Sequence, residues 1–225
     1  MSQKPMPSVR RDPTQILLVD DHPVVRERLA EVFSREPDLL VCGEADSRHR
    51  ALEAIADTAP DIVLLDLTLK QSDGLELIKD IRARWPSLKI LVVSMHDEAV
   101  YAERAIRAGA RGYINKQEAT RRILVAVRQV IAGQTYLSDS VAGQVVGRVA
   151  VPPNAAAVAP SDVLSDRELQ VFRAIGQGLT TRQIAAELHL SLKTVETYRG
   201  RIREKLNLPT SAEVLQKAIA WVHPA

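Results

Sequence analysis

Three carboxylates and an amine stand at matching places in the N-terminal half of the chain, each just after a short apolar run. They are Asp20, Asp21, Asp66 and Lys116. Such apolar runs are typical of buried strands in a parallel sheet, and ligands of open α/β sheets bind where the strands end. These groups are therefore expected to share one pocket. Taken alone, Asp66 could equally be a strand-end carboxylate that caps the following helix.

Carboxylates that share a pocket repel one another unless a cation is present. Mg²⁺ fits best, because it prefers oxygen ligands and needs few carboxylates from the protein. With the metal bound, Asp66 could attack a phosphoryl group as a nucleophile. Lys116 and the hydroxyl of Ser94, at the end of another predicted strand, would then hold the phosphoryl oxygens. A zinc site is not favoured, because the chain has a single cysteine and scattered histidines.

The elements that would position these groups are five strand–helix units. Strands are predicted at 16–19, 39–43, 62–65, 89–94 and 112–115, and helices at about 23–36, 48–59, 74–84, 99–108 and 119–132. This alternation predicts a flavodoxin-like, doubly wound parallel sheet of five strands. In the flavodoxin-like order 2-1-3-4-5, the first and third strands are neighbours, which brings Asp20, Asp21 and Asp66 together.

The second half of the chain has a different character. Residues 138–162 are predicted to be a linker, with a helix followed by a proline- and alanine-rich extended segment. From Val163 to Ala225 all elements are predicted to be helices, at 165–175, 180–188, 192–206 and 211–222. A short helix, a tight turn and a longer basic helix form a helix-turn-helix, so this part is predicted to be a small all-α domain.

The composition limits the classes of protein to which this chain can belong. The 225 residues are 46% hydrophobic and 26% charged, as in soluble globular proteins. Cys42, the only cysteine, is predicted to be a buried thiol in a reducing compartment. Residues 1–14 are predicted to be a disordered lead without the apolar core of a signal peptide, and no membrane span is predicted. These features predict a cytoplasmic protein.

The first 137 residues resemble the receiver domain of two-component response regulators. The resemblance is carried by Leu-Leu-Val-Asp-Asp-His-Pro from Leu17, Val-Leu-Leu-Asp-Leu from Val63 with Asp73-Gly74, Val-Val-Ser-Met from Val92, and Gly-Ala-Arg-Gly-Tyr-Ile-Asn-Lys from Gly109. It places the receiver at 15–137 and implies that a sensor histidine kinase phosphorylates Asp66. The site residues it implies are Asp21, Asp66 and the Thr68 carbonyl for Mg²⁺, Asp20 through water, Ser94 and Tyr113 as switch residues, and Lys116 for the phosphate.

Two positions depart from the receiver pattern. Lys70 stands where the family usually has a proline after the phosphoacceptor, and Gln117 stands where a proline often follows the lysine. The first departure could alter the loop beside the site, and the second could remove a cis peptide bond. Neither removes a reacting group, so phosphorylation is expected to persist with changed kinetics.

The second half of the chain contains Leu-Ser-Asp-Arg-Glu-Leu-Gln-Val-Phe-Arg from Leu164, Gly-Leu-Thr-Thr-Arg-Gln-Ile-Ala-Ala-Glu-Leu from Gly178, and Ser-Leu-Lys-Thr-Val-Glu-Thr-Tyr-Arg-Gly-Arg-Ile-Arg-Glu-Lys-Leu from Ser191. By these motifs residues 163–225 resemble the LuxR-type DNA-binding domain, and the resemblance implies that its third helix enters the major groove of double-stranded DNA. Residues 192–206 include five basic and only two acidic side chains. Positive charge is therefore concentrated in this segment, although the whole chain carries only +2. Arg199 and Arg203, four residues apart, would repel on a helix without a phosphate partner. The resemblance implies base contacts from Glu196, Thr197 and Gly200. By their positions Lys193, Thr194, Arg199 and Arg201 are the residues expected to contact phosphates, and Arg203 is a further residue expected to contact DNA. Glu196 could accept from a cytosine amino group.

The sequence thus predicts a phosphorylation-controlled regulator that binds promoter DNA, forms a homodimer when active, and catalyses only its own phosphorylation and dephosphorylation. One alternative is a DNA-binding regulator that does not depend on phosphorylation. The other is an aspartyl-phosphate phosphohydrolase of the haloacid dehalogenase type. That chemistry needs an acid/base aspartate two residues after the nucleophile, where this chain has Thr68.

Overall fold

In the part of the chain that the structure describes, seven strands form a five-stranded parallel sheet and a separate small hairpin. They are β1 Thr14–Val19, β2 Leu39–Ala45, β3 Ile62–Leu65, β4 Thr68–Leu69, β5 Ser72–Asp73, β6 Lys89–Ser94 and β7 Gly112–Asn115. The computed structural model describes residues 12–69, 72–96, 98–138, 141–142, 160–188 and 190–223. The order across the sheet is β2-β1-β3-β6-β7, which confirms the predicted flavodoxin-like topology. The neighbouring strands β1 and β3 pair in parallel.

Five helices accompany the sheet: α1 Pro23–Ser34, α2 Arg48–Thr58, α3 Gly74–Arg84, α4 Glu98–Ala108 and α5 Lys116–Ile131. All four residues of β3 are buried, as expected for a central strand covered on both faces. Side chains of β1, β3 and β6 pack with Phe33 of α1 and with Ile123 and Val127 of α5 in one apolar cluster. The sheet edge that carries the aspartates is therefore built on a rigid, close-packed core.

Several element boundaries differ from the predicted ones by one to three residues, and one hairpin was not predicted. Helix α5 begins at Lys116 rather than near residue 119, because the Asn115 side chain caps it by accepting a hydrogen bond from the Gln117 N–H at 2.9 Å. Strand β1 begins at Thr14, inside the predicted lead, and the rest of that lead up to residue 11 lies outside the described residues. The hairpin of β4 and β5 was not predicted, because two-residue strands leave no periodic pattern.

The described residues from 160 onward form a bundle of helices: α6 Pro160–Val163, α7 Asp166–Gly176, α8 Thr181–Glu187, α9 Leu192–Lys205 and α10 Ser211–Val222. Their buried side chains include Phe172, Ile184, Val195, Ile202 and Val214. Helix α7 begins with a capping box formed by Ser165 and Glu168. Its last residue is Gly176, and the chain turns at Gly178 with a left-handed φ of +84°.

The described residues fall into two compact units, one within Met1–Ala150 and one within Val151–Ala225. Most of the predicted linker, including its proline- and alanine-rich segment, lies outside the described residues, and 160–162 belong to α6. In the described ranges, no helix combines the length and apolar character that crossing a membrane requires.

Candidate functional site

The three aspartates meet where the central strands end. Asp20 and Asp21 follow β1, Asp66 follows β3, and the Asp66 N–H donates to the Val19 carbonyl at 2.8 Å, which joins the two strand ends. One ligand atom from each aspartate and a ring nitrogen of His22 all lie within 4.8 Å of one another. Asp20 and Asp66 are only 4% and 3% exposed. The structure therefore brings the predicted acidic residues into one pocket.

Lys116 bridges two of these carboxylates. Its Nζ atom lies 2.6 Å from Asp20 Oδ2 and 2.7 Å from Asp66 Oδ2. Burial tends to lower the pKa of Lys116, but the Asp66 and Asp20 charges outweigh it and hold the pKa above its ordinary value. The ammonium group is therefore charged at neutral pH. The side chain reaches the pocket because α5 begins directly at Lys116, where β7 ends.

Burial raises the pKa of Asp66 to about 6, and the Asp20 charge adds to this effect, while Lys116 and the Thr68 N–H oppose it. At neutral pH Asp66 is therefore mostly ionised, as a carboxylate nucleophile must be. The Thr68 N–H donates to Asp66 Oδ1 at 3.2 Å, so Oδ1 and Oδ2 each have a donor. These contacts fix the orientation of the carboxylate toward the pocket.

The pocket fits a small divalent cation. One ammonium faces three carboxylates, so negative charge remains in excess. Asp21 Oδ1 is buried and, among the described residues, receives no hydrogen bond; His22 Nδ1 lies 2.7 Å away without hydrogen-bond geometry. A buried carboxylate oxygen without a donor is costly unless a cation completes its surroundings. Oxygen ligands of this kind suit Mg²⁺.

Ser94 and Tyr113, the predicted switch residues, converge on the segment that follows β6. Ser94 is fully buried, and its hydroxyl accepts a hydrogen bond from the His96 N–H at 3.3 Å. Tyr113 is also fully buried, and its hydroxyl donates to the His96 carbonyl at 2.9 Å. Burial raises the pKa of Tyr113, so the phenol stays neutral and able to donate. The two residues thus act on one loop.

His96 links that loop to the phosphoacceptor loop, although the sequence reasoning assigned it no role. Its Nε2 atom lies 2.8 Å from Thr68 Oγ1, and its ring stacks on Tyr101 with centroids 4.7 Å apart. The Thr68 backbone in turn holds Asp66. His96 lies two residues after Ser94 and Thr68 two residues after Asp66, but this spacing does not by itself predict that the two side chains meet.

The two departures from the receiver pattern have different outcomes. No cis peptide bond occurs among the described residues, as expected with Gln117 in place of proline. The Gln117 N–H donates to Asn115 Oδ1, a hydrogen bond that proline could not make. Lys70 lies outside the described residues, so its effect on the loop remains a prediction.

Helix α9 has one face in the core of its unit and one exposed face. Val195 and Ile202 are fully buried, whereas Leu206 at the helix end is half-buried. Of the residues predicted to contact DNA, the exposed ones are Lys193, Glu196, Thr197, Gly200, Arg201 and Arg203, and the half-buried ones are Thr194 and Arg199. The predicted DNA-contacting surface is therefore accessible within its own unit.

Two contacts that hold α9 were not predicted. The Thr181 hydroxyl, at the start of α8, donates to Glu196 Oε1 at 2.9 Å. At the other end of α9, Lys205 Nζ lies 2.7 Å from Glu168 Oε2, a carboxylate whose side chain is 3% exposed. Burial tends to raise the pKa of Glu168, but the bonds from Lys205 and Ser165 outweigh it and lower the pKa. Both contacts join distant positions, which single-sequence patterns do not reveal.

Comparison with known families agrees with this architecture. Residues 16–128 match the response regulator receiver domain, and residues 162–218 match the LuxR family of bacterial regulatory proteins. The transcriptional activator protein ExaE of Pseudomonas putida is 36% identical over 204 residues, covering 91% of this chain and 95% of that protein. The response regulator GacA of Pseudomonas aeruginosa is 34% identical over 205 residues, with 91% and 95% coverage.

Solved structures show the same fold. A LuxR-family two-component response regulator from Aurantimonas sp. SI85-9A1 is 33% identical with a TM-score of 0.57, covering 62% of this chain and 100% of that one. Salmonella RcsB bound to a promoter is 21% identical with a TM-score of 0.57, covering 92% and 99%. From the matched families and relatives together, this chain belongs to the two-component response regulators that join a receiver domain to a LuxR-type DNA-binding domain.

Proposed function

We propose that Asp66 is the phosphoacceptor of this response regulator and that a sensor histidine kinase is its donor. The observation that carries the proposal is the buried Asp66 carboxylate, held by Lys116 at 2.7 Å beside two further aspartates. A lone strand-end carboxylate that caps a helix would need neither a paired ammonium nor an acidic pocket. The proposed domain boundaries are 15–137 for the receiver and 163–225 for the DNA-binding domain.

The chemistry is a phosphoryl transfer to Asp66. A carboxylate oxygen of Asp66 forms the bond to phosphorus while the bond to the imidazole nitrogen of the donor histidine breaks. Mg²⁺, held by Asp21, Asp66 and the Thr68 carbonyl with Asp20 through water, would screen the negative charge of the pocket and of the phosphoryl oxygens. Lys116 then pairs with one phosphoryl oxygen instead of Asp66, and the Ser94 hydroxyl donates to another.

The phosphoryl group would act on the rest of the receiver through Ser94. When this hydroxyl turns to the phosphoryl oxygen, its contact with the His96 N–H is lost. Tyr113 and Thr68 both hold the same loop, so its shift repacks the surface around α4. We propose this repacking as the signal that changes the affinity of the chain for DNA.

The proposed partner of the second domain is double-stranded promoter DNA, and the proposed compartment is therefore the cytoplasm. Helix α9 presents its basic residues on the exposed face. For the active form we propose a homodimer. On α10, Val214 and Ala218 are buried, whereas Leu215 and Ile219 are 41% and 44% exposed. Two of these four apolar side chains thus face the core, and the two exposed ones are available to a second copy.

We propose no activity beyond self-phosphorylation and dephosphorylation. A phosphohydrolase of the haloacid dehalogenase type would need an aspartate in place of Thr68, whose hydroxyl instead contacts His96. Regulation without phosphorylation is the competing proposal. Regulation without phosphorylation would not explain why Lys116 pairs with Asp20 and Asp66 or why three aspartates share one pocket.

The test combines phosphorylation with DNA binding. The full chain is incubated with Mg²⁺ and acetyl phosphate, and incorporation is measured by mass spectrometry for the wild type and Asp66→Asn. We expect one phosphoryl group on the wild type, none on the variant, and higher DNA affinity only for the phosphorylated wild type. Undiminished incorporation in the variant would refute the assignment of Asp66. Equal DNA affinity with and without the donor would instead support phosphorylation-independent regulation.

A further inference from the structure

Glu196, an exposed carboxylate on α9, is held by a residue of the neighbouring helix. The Thr181 hydroxyl donates to Glu196 Oε1 at 2.9 Å, across 15 positions of the chain. Thr181 is the first residue of α8, whose cap is Thr180, so its backbone position is fixed by a capping box. This hydrogen bond fixes the position of Oε1, and because the carboxylate is rigid it also sets where Oε2 points.

A carboxylate on a DNA-facing helix is repelled by phosphates, so it needs a compensating partner among the bases. An ionised carboxylate only accepts hydrogen bonds, and the donors in the major groove are the amino groups of cytosine and adenine. Adenine carries its N7 acceptor beside that amino group, where it would repel the second carboxylate oxygen. The cytosine edge has no acceptor at that place, so a carboxylate favours cytosine.

We propose that Thr181 and Glu196 form a preset specificity element that selects a C·G pair in each half-site. The inference rests on the proposed DNA-binding function and names the base that this site prefers. In it, Glu196 contacts the base, and Thr181 is a positioning residue that contacts only Glu196. Fixing the carboxylate before DNA arrives removes rotamer freedom that would otherwise be lost on binding, and it sharpens discrimination between bases.

Gly200 leaves room for this contact. It lies one turn after Glu196 on the same surface, and a Cβ atom added there would meet nothing within 4 Å. Glycine is the least favourable residue of a helix interior apart from proline, and no packing inside the described chain requires it here. A groove of about 130 Å³ runs past Glu196, Gly200 and Arg203. The absence of a side chain at Gly200 therefore keeps the surface beside the carboxylate open.

The experiment selects binding sites from randomised duplexes with the phosphorylated full chain. Four proteins are compared: the wild type, Glu196→Gln, Thr181→Val and Thr181→Ser. Thermal unfolding and salt-dependent binding to a generic duplex are measured for each, which shows that every variant folds and still binds DNA. Thr181→Ser is the matched control, because it keeps the hydroxyl and loses only a methyl group.

We expect the wild type to favour one C·G pair per half-site by about 10-fold or more over the other pairs. Glu196→Gln should lose this preference and turn toward A·T, because glutamine pairs with adenine. Thr181→Val should weaken the preference several-fold while Thr181→Ser keeps it. The inference is overturned if Glu196→Gln selects the same bases as the wild type while all proteins bind the generic duplex. If the wild type binds no duplex at all, the proposed DNA-binding function fails as well.

Discussion

Burial sets the behaviour of Asp66 before any metal or phosphoryl group arrives. Its pKa is raised from 3.8 to about 6, so the folded state holds the proton more tightly than the unfolded chain does. Asp66 therefore favours folding below its ordinary pKa, and this contribution is lost as the pH rises through about 6. Above that pH the ionised, buried carboxylate destabilises the fold, and a shift of about 2 units corresponds to about 3 kcal/mol.

Asp66→Asn is accordingly expected to stabilise the metal-free protein by about 1–3 kcal/mol near pH 7.5, because it removes a buried charge. The gain should disappear below about pH 4, where Asp66 is protonated in both states. Urea unfolding with a chelator present, followed across this pH range, measures it. A stabilisation that does not change with pH would show that the charge is not its cause.

Lys116 stabilises the fold at neutral pH, whereas ionised Asp66 destabilises it. Among the described residues, Lys116 is the only cation that contacts both Asp20 and Asp66 in this pocket. Lys116→Gln should lower the free energy of unfolding by about 3 kcal/mol at neutral pH, because two buried carboxylates would then face each other without it. In an Asp66→Asn background the loss should be clearly smaller. The matched control is Lys79→Gln, which breaks an exposed pair with Glu76 and should cost less than about 1 kcal/mol.

Two helical glycines differ at the scale of packed elements. A Cβ atom on Gly176 would lie 2.4 Å from the Ala218 carbonyl oxygen, so α7 and α10 approach each other through the missing side chain. Gly176→Ala should therefore cost about 1–3 kcal/mol as these helices separate. Gly200→Ala meets no atom and should stabilise α9 by up to about 1 kcal/mol. Thermal unfolding of both variants tests this, and equal shifts would contradict it.

The elements that the sequence predicted well are those with strong periodicity. The strand order and the pocket of Asp20, Asp21 and Asp66 followed from apolar runs that end in carboxylates. Three features could not be predicted in this way: the hairpin β4–β5, the early start of α5 and the contact between His96 and Thr68. Each of these depends on one or two side chains that meet only after folding, and tertiary contacts of that kind leave no repeating pattern.

At the scale of the whole molecule, charge is unevenly distributed. The chain carries +2 in total, whereas five basic and two acidic side chains lie within 192–206. Since released counterions drive DNA binding, affinity should follow this local surface and not the net charge. Arg201 and Arg50 are both exposed, but Arg201 is on α9 and Arg50 is on α2 of the other unit.

Arg201→Gln should weaken binding to all DNA sequences alike and reduce the slope of log K against log salt by about 0.9, the value for one lost phosphate contact. Arg50→Gln changes the net charge equally and should leave both the affinity and the slope unchanged. Titrations over a range of salt concentrations with specific and generic duplexes measure both quantities. Equal effects of the two substitutions would mean that the net charge of the molecule governs binding. Helix α9 would then no longer be assigned as the element that contacts phosphates.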